Sequence, residues 1–219
     1  MKKIIFILLA FSILSFQSVK SEDFYIEGQV NYSKIDDIET STYSDTIDGD
    51  VIVGKLTNDY DYDTGYGYEI GIKNVSDSNF RIGYSYGQSK IKLKTLTVSG
   101  TVNGAAGSES YTPAQLSAVG LNFDNDIKTY SINVYYDLET KGSFTPYVGA
   151  GLGEADIQNA TDKELLTSVY LGGRHSVNEQ MYVGVKGIYS MIDGPTDQLG
   201  LSYKDITQTT VSLIVGYNF

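Results

Sequence analysis

The chain has 219 residues and a formal net charge of −11 at pH 7, with 27 acidic against 16 basic side chains. This acidic surplus argues against a nucleic-acid-binding protein, which needs a basic face. Because the sequence contains no cysteine, it can form neither disulfides nor thiolate metal sites. Nineteen tyrosines and 23 glycines with only three prolines indicate β structure. The length permits one large β domain or, as the less favoured alternative, two small ones.

The amino terminus has the pattern of a secretory signal peptide. Two lysines precede an uncharged apolar run at 4–16, and small residues suit a cleavage site after Ser21. The run is shorter than the roughly 20 apolar residues that a membrane-spanning helix needs, which disfavours the alternative of an uncleaved anchor helix. We therefore predict a signal peptide at 1–21 and a single domain at 22–219.

The rest of the chain contains eight segments in which apolar or aromatic residues alternate with small or polar ones. Such a period of two is typical of β-strands with one apolar face. The last segment shows it best, because one parity is wholly apolar or aromatic up to Phe219. The segments lie at about 23–33, 64–74, 79 onward, 126–138, 144–157, 163–177, 181–191 and 205–219.

The connections between these segments alternate in length. The turns after segments two, four and six have three to five residues, whereas the connections at 34–63 and 95–123 have about thirty. Bacterial outer-membrane barrels likewise have an even number of strands, short periplasmic turns and longer outer loops. We predict an all-β fold: an eight-stranded antiparallel up-and-down transmembrane β-barrel.

Aromatic residues are placed where the two membrane interfaces of such a barrel require them. One group falls at the short-turn end of the strands and the other about four residue pairs away. The groups are Phe24, Phe80, Phe144, Tyr217 and Phe219, and Tyr32, Tyr66, Tyr86, Tyr130 and Tyr189. A soluble lipocalin-like barrel is the alternative, with its apolar face turned inward. The girdles, the loop asymmetry and the terminal aromatic residue favour the membrane barrel.

The chain resembles a known protein family in its signal sequence, its eight strands, the run PYVGAGLG at 146–153 and the terminal IVGYNF. It is similar to the small outer-membrane β-barrel proteins of Gram-negative bacteria, of the opacity-protein and surface-antigen type, related to OmpX and to the OmpA transmembrane domain. The resemblance implies an outer-membrane location, a monomer, and insertion by the barrel-assembly machinery. Tyr217 and Phe219 of the terminal strand would then form the assembly signal. No periplasmic peptidoglycan-binding domain follows, which weakens an envelope-tethering role.

The interior of an eight-stranded barrel is just wide enough for side chains to fill it. Charged residues of the inward parity must pair there, because an unpaired buried charge costs several kcal/mol. We predict a polar network in which Glu27 and Glu69 meet Arg81, Arg174 or Lys186. Its full membership is Glu27, Glu69, Lys73, Arg81, Asp137, Arg174 and Lys186. An ion-conducting path through the same residues is the alternative to a packed lumen.

Evidence for catalysis is weak. Lipid A deacylation and palmitoyl transfer are known on eight-stranded barrels, and a nucleophilic serine there would need a histidine base within hydrogen-bond reach. The only histidine is His175, beside Ser176. Adjacent strand residues point to opposite faces, so these two cannot pair with each other. We predict a protein that is not an enzyme, with no catalytic residue, cofactor or metal.

Lys90, Lys92 and Lys94 alternate on the lipid-facing parity, beyond the tyrosines at the long-loop end of the strands. Lysine is a point-charge phosphate binder, so contacts with outer-membrane lipid and lipopolysaccharide are expected there. A solvated strand extension is an equally open alternative.

The connection at 34–63 holds nine acidic residues and ends in alternating Asp residues. These could gather Ca²⁺, although a solvated acidic loop is the better interpretation.

Long loops on a rigid scaffold commonly carry binding residues. The leading functional hypothesis is a non-enzymatic surface protein whose barrel anchors the connections at 34–63 and 95–123. These would bind a host or surface ligand in adhesion, act as antigens, or help to stabilise the envelope. A small passive porin-like channel is the alternative, and a lipid-modifying enzyme is a distant third.

Overall fold

The computed structural model describes residues 24–120, 125–198 and 200–219. The predicted signal peptide at 1–21 lies outside the described residues. Among those described, no helix is both long enough and apolar enough to cross a membrane.

Strands dominate the described structure. A short helix, α1 (Pro113–Ala118), and a single 3₁₀ turn (Val75–Asp77) complete it. The strands are β1 (Phe24–Ile35), β2 (Ile38–Glu39), β3 (Tyr43–Ile47), β4 (Asp50–Tyr60), β5 (Asp63–Ile72), β6 (Phe80–Ile91), β7 (Leu93–Val102), β8 (Ala105–Tyr111), β9 (Asn125–Asp137), β10 (Phe144–Ile157), β11 (Glu164–Ser176), β12 (Met181–Ile192) and β13 (Ile206–Asn218).

Eight of these strands close a barrel. Their order is β1-β13-β12-β11-β10-β9-β6-β5, and each neighbouring pair is antiparallel. The closing pair joins the first and last strands, so that Tyr25 lies opposite Asn218 and Ile35 opposite Gln208. The prediction of an eight-stranded antiparallel up-and-down barrel is confirmed, and the eight predicted segments coincide with these strands to within a few residues.

The apolar parity of the barrel strands faces outward. Val30, Leu171 and Leu213 expose 62%, 68% and 65% of their surface, whereas Glu27 and Arg81 on the opposite parity expose 1% each. The lipocalin-like alternative requires the reverse arrangement. An apolar outer wall around a charged lumen is the arrangement expected of a barrel whose surroundings are hydrocarbon.

The outer end of the lumen differs from the polar interior that the sequence predicts. Apolar side chains from the upper ends of the barrel strands meet apolar side chains from the outer connections and α1 there, and together they form what we call the apolar cap. Its larger members are Ile35, Ile91, Ile127, Ile157, Leu166, Ile192 and Ile206 from the barrel, and Ile38, Tyr60, Leu93, Leu96 and Leu116 above it. Because these strand ends rise beyond the tyrosine girdle, they pack against protein as in a soluble core.

The two long connections form a second, five-stranded sheet, which we call the outer sheet. Its order is β2-β4-β7-β8, with β3 also paired to β4. Two hairpins build it, through the turns Asp48–Gly49 and Asn103–Gly104, in which all four residues have positive φ. Asp-Gly and Asn-Gly in this conformation are strong hairpin signals. The connections at 34–63 and 95–123, expected to be long polar loops, therefore contain regular strands over most of their described length; residues 121–124 lie outside the described structure.

Candidate functional site

The charged lumen is centred on Lys186 of β12. Its ammonium lies 2.5 Å from the carboxylate of Glu27 and 3.8 Å from that of Glu69. The two glutamates are directly opposite each other on the paired strands β1 and β5. All three side chains are almost completely buried. A single cation between two acids reduces the repulsion that the acids would otherwise exert on each other.

Glu69 also accepts three hydrogen bonds from neutral side chains. The hydroxyl groups of Tyr25 and Tyr135 each donate to it at 2.6 Å, and the amide of Asn133 donates at 3.0 Å. The Asn133 carbonyl in turn accepts from the hydroxyl of Tyr170 at 2.8 Å. Such a chain of donors spreads the buried negative charge over several strands.

A second ionic group lies nearer the short-turn end of the lumen. Arg81 donates from Nε to both oxygens of Asp137 at 3.0 Å, and Arg174 donates to the same carboxylate at 2.6 Å. The Arg81 guanidinium also lies over the rings of Tyr135 and Tyr147, at 4.6 Å and 4.9 Å from their centroids. These rings supply a favourable electrostatic surface for a buried cation.

The predicted interior residues therefore form two groups. Glu27 and Glu69 share Lys186, while Arg81 and Arg174 share Asp137. Lys73 is half-buried, one residue beyond the end of β5. The sequence interpretation did not anticipate the buried tyrosines of the lumen. Their inward parity was the available signal, and the members are Tyr25, Tyr135, Tyr147, Tyr170 and Tyr182.

Between this charged region and the apolar cap lies a polar layer. Serine, threonine, asparagine and glutamine side chains surround a cavity of about 50 Å³, with Glu69 and Lys186 at its lower edge. One water needs roughly 10–15 Å³, so the cavity has room for only a few. The lumen is thus filled along most of its length. Apolar side chains pack between the cavity and the outer end, and tyrosines and ion pairs fill the lumen between the cavity and the short-turn end.

The candidate lipopolysaccharide contacts lie on the outer surface, where all three lysine side chains are exposed. Lys92 lies 3.4 Å from Asp63 and Lys94 lies 2.9 Å from Asp59. Hydrogen bonding to Asp59 raises the pKa of Lys94. Each of these aspartates therefore faces a lysine, and no group of three potential metal ligands occurs among the described residues. Lys90 is the member of the trio that lies opposite Asp126 on β9.

A three-residue ionic clamp ties the outer sheet to the connection between β12 and β13. Glu39 of β2 accepts from Lys55 of β4 at 2.9 Å and from Lys204 at 2.6 Å. These two cations lower the pKa of Glu39 to about 2. Backbone bonds run alongside the clamp, from Lys204 N–H to Glu39 C=O at 2.8 Å and from Ser41 N–H to Ser202 C=O at 2.7 Å. The outer sheet is thereby held over the barrel mouth.

His175 is exposed near the short-turn end of β11. Its Nδ1 lies 3.2 Å from the hydroxyl oxygen of Ser143, the residue just before β10, and its neighbour Ser176 is also exposed. A Ser–His contact on an open surface lacks the enclosed oxyanion site that acyl transfer uses.

The predicted assembly residues are at the end of the closing strand. The rings of Tyr217 and Phe219 lie 5.1 Å apart in an edge-on arrangement. The Phe219 N–H donates to the carbonyl of Phe24 at 3.0 Å, and this bond joins the last barrel strand to the first. The Phe219 side chain itself points outward.

Known proteins of this architecture show the same fold. NspA, a neisserial surface protein, matches over 90% of this chain and 97% of its own, with 14% identity and a TM-score of 0.54. AlkL, an outer membrane protein studied in lipid bilayers, matches over 93% of this chain and 94% of its own, with 14% identity and a TM-score of 0.50. OprG of Pseudomonas aeruginosa covers 91% and 97%, with 17% identity and a TM-score of 0.48. The likeness to NspA and AlkL, at 14% identity, shows the fold alone.

No curated protein matches the sequence significantly. A family model described as the outer membrane protein beta-barrel domain matches residues 5–219. The closed eight-stranded barrel, its apolar outer wall and its charged lumen agree with that match. The chain therefore belongs to the outer membrane protein beta-barrel family and is a protein of the bacterial outer membrane.

Proposed function

We propose that this protein is a non-enzymatic surface protein, whose barrel anchors the outer sheet and presents it to a ligand outside the cell. The observation that carries the proposal is the folding of the two long connections into one five-stranded sheet. Ordering about sixty residues costs conformational entropy. A rigid surface that presents a binding site would benefit from this order. Adhesion and antigen presentation both need such a surface.

The filled lumen supports an anchoring role over transport. Ion pairs and tyrosines occupy its lower part, and the apolar cap covers its upper part. A well-packed interior also supports an envelope-stabilising contribution, because a rigid barrel resists local opening.

The test replaces the outer sheet and leaves the barrel unchanged. Residues 37–61 and 93–123 would each be exchanged for a short glycine–serine turn in cells that display the protein. We expect adhesion to a panel of host cells and matrix proteins to fall to background while the barrel still assembles. A matched control alters the turn at 139–143, at the opposite end of the barrel. Adhesion that survives loss of the outer sheet would refute the proposal.

A small passive channel is the second candidate, favoured by the polar cavity of about 50 Å³ in the lumen. Planar-bilayer recording separates the two functions. The anchoring role predicts no steady conductance from the purified protein, since the apolar cap and the buried tyrosines of the lumen interrupt a water path. A steady, large conductance would favour the channel.

A further inference from the structure

The outer sheet ends at β8, whose far side has no partner strand in the part of the chain that the structure describes. All but the last of its residues are exposed. Natural proteins usually block such an edge with proline, lysine or a bulge. The β8 sequence AAGSESY has neither proline nor lysine, and its pairing with β7 is regular throughout. An unblocked edge strand is a template for the addition of another strand.

The turn between β7 and β8 determines which backbone groups face the open edge. Asn103 and Gly104 form a two-residue turn with positive φ at both positions, so the flanking pair Val102 and Ala105 is hydrogen-bonded. Hydrogen-bonded and non-bonded pairs then alternate along the two strands. The N–H and C=O groups directed away from β7 are therefore those of Ala106, Ser108 and Ser110.

A row of glycines crosses one face of the outer sheet and reaches this edge. Gly54, Gly100 and Gly107 are consecutive partners on β4, β7 and β8. At the opposite edge, Tyr43 of β3 pairs with Gly54 and covers it, with its hydroxyl 2.8 Å from the place where a Cβ would stand. Gly107 has open space at the equivalent place. A large side chain on an added strand could cover Gly107 as Tyr43 covers Gly54.

Charge defines the rest of the partner. The connection at 34–63, which supplies β2, β3 and β4, holds nine acidic residues against two lysines. On β8 itself the only charged residue is Glu109, on the same face as Gly107 and two residues away. A basic side chain directly opposite Glu109 would form a favourable cross-strand pair, and the acidic surplus of the connection that supplies the rest of the outer sheet favours a cationic segment.

We propose that β8 binds an extended peptide by antiparallel strand addition, with an aromatic side chain opposite Gly107 and a basic side chain opposite Glu109. In an antiparallel register the basic residue comes first and the aromatic residue follows two positions later. This inference rests on the proposed surface-binding function and deepens it, because it names the site and the chemical class of the ligand.

The test uses a fluorescent seven-residue threonine peptide with lysine at its third position and tyrosine at its fifth. Paired antiparallel to β8, these two residues lie opposite Glu109 and Gly107. Binding to the full chain in lipid nanodiscs would be followed by fluorescence anisotropy, and amide exchange would report on Ala106, Ser108 and Ser110. We expect saturable binding that weakens with salt, together with slower exchange at these three amides.

Control peptides isolate each element of the proposal. N-methylation at positions two, four and six removes the N–H groups that face β8 and should abolish binding. Exchange of the lysine and the tyrosine keeps the composition but moves each away from its partner, and glutamate in place of lysine reverses the charge. Both changes should weaken binding severalfold. Equal binding of the N-methylated or exchanged peptide would overturn the proposal.

Two protein variants complete the test. Ser108→Pro removes an N–H that points to the open edge and leaves the β7–β8 hydrogen bonds in place, so affinity should fall by about tenfold, the equivalent of one backbone hydrogen bond. Ser108→Ala keeps the N–H and should bind like the wild type. Amide protection at Gly107 and Glu109 verifies that the hairpin remains folded. Unchanged affinity of Ser108→Pro, or no binding of the peptide by the wild type, would overturn the peptide site. Neither result would refute the proposed surface function, which fails only if adhesion survives the removal of the outer sheet.

Discussion

The ammonium of Lys186 lies 2.5 Å from the carboxylate of Glu27, in an ion pair that crosses the lumen from β12 to β1 with β13 between them. Both side chains are almost completely buried. Buried charges of this kind are stable only when they are paired, because each has lost its hydration. The pair therefore makes the closure of the barrel depend on a specific contact between strands that are not neighbours.

The first prediction concerns this pair. Lys186→Met leaves Glu27 and Glu69 facing each other without a cation, so the free energy of unfolding should fall by about 3–5 kcal/mol. Urea titration of the barrel in lipid vesicles measures the change. The double variant with Glu27→Gln removes one of the two stranded charges and should recover part of the loss. A single variant as stable as the wild type would show that the pair is not buried as described.

The second prediction uses two glycines on opposite faces of the barrel wall. A Cβ at Gly216 would stand 1.9 Å from the ring of Tyr182, whereas a Cβ at Gly28 meets nothing within 4 Å. Gly216→Ala should therefore displace Tyr182 and destabilise the barrel by about 1–3 kcal/mol. Gly28→Ala, on the lipid-facing parity, is the matched control and should be nearly neutral. The reverse order of stabilities would contradict the inside–outside assignment.

The third prediction is a pH dependence of the ionic clamp at Glu39. Its pKa in the folded protein, about 2, lies below the usual value, so the stabilising contribution is fully present above about pH 4.3 and disappears as the pH falls through the folded value. After correction for intrinsic rates, amide protection at Ser41 and Lys204 should be constant above about pH 4.3 and should decrease progressively as the pH falls from there to about 2. In Glu39→Gln the protection should be weaker at neutral pH and lack this transition. Wild-type protection that does not change between about pH 5 and pH 2, or that equals the protection in Glu39→Gln at neutral pH, would show that the clamp does not form.

The fourth prediction concerns the terminal aromatic residue as a signal for the barrel-assembly machinery. The Phe219 side chain is 60% exposed and that of Phe144, at the same end of the barrel, is 50% exposed. Phe219→Ala should lower the amount of protein in the outer membrane severalfold, while folding of the purified chain in detergent stays unchanged. Phe144→Ala should affect neither, since it loses a similar exposed ring. An equal loss in both variants would assign the effect to the girdle instead of the signal.

The fifth prediction tests lipopolysaccharide contact at Lys90, Lys92 and Lys94. A lysine near an anionic lipid surface contributes about 1 kcal/mol. Asp63 and Asp59 partly neutralise two of the three, so the triple Lys→Gln variant should show a moderate loss of affinity for lipopolysaccharide in vesicles. Lys141→Gln, at the opposite end of the barrel, provides the control. Unchanged affinity in the triple variant would remove the lysines from the list of lipid contacts.

Alternation along single segments was enough to predict the barrel strands. In the terminal strand, Val211, Leu213 and Val215 alternate with Thr210 and Ser212, and the structure puts the two sets on opposite faces. This pattern is local, because successive residues of any strand point to opposite sides. The hairpin turns Asp48–Gly49 and Asn103–Gly104 were also visible in the sequence, and reading them as turns would have predicted the outer hairpins.

Strand pairing over long distances is what only the tertiary structure decided. Inward parity identified Glu27, Lys186, Arg81 and Asp137 as lumen residues, but the stagger of the closed barrel determines which of them meet. The outer sheet joins β4 to β7 across the intervening barrel strands β5 and β6. The edge of β8 is open because the outer sheet ends at this strand. A period of two sets the face of each side chain, whereas its neighbours depend on register and closure, which no single segment contains.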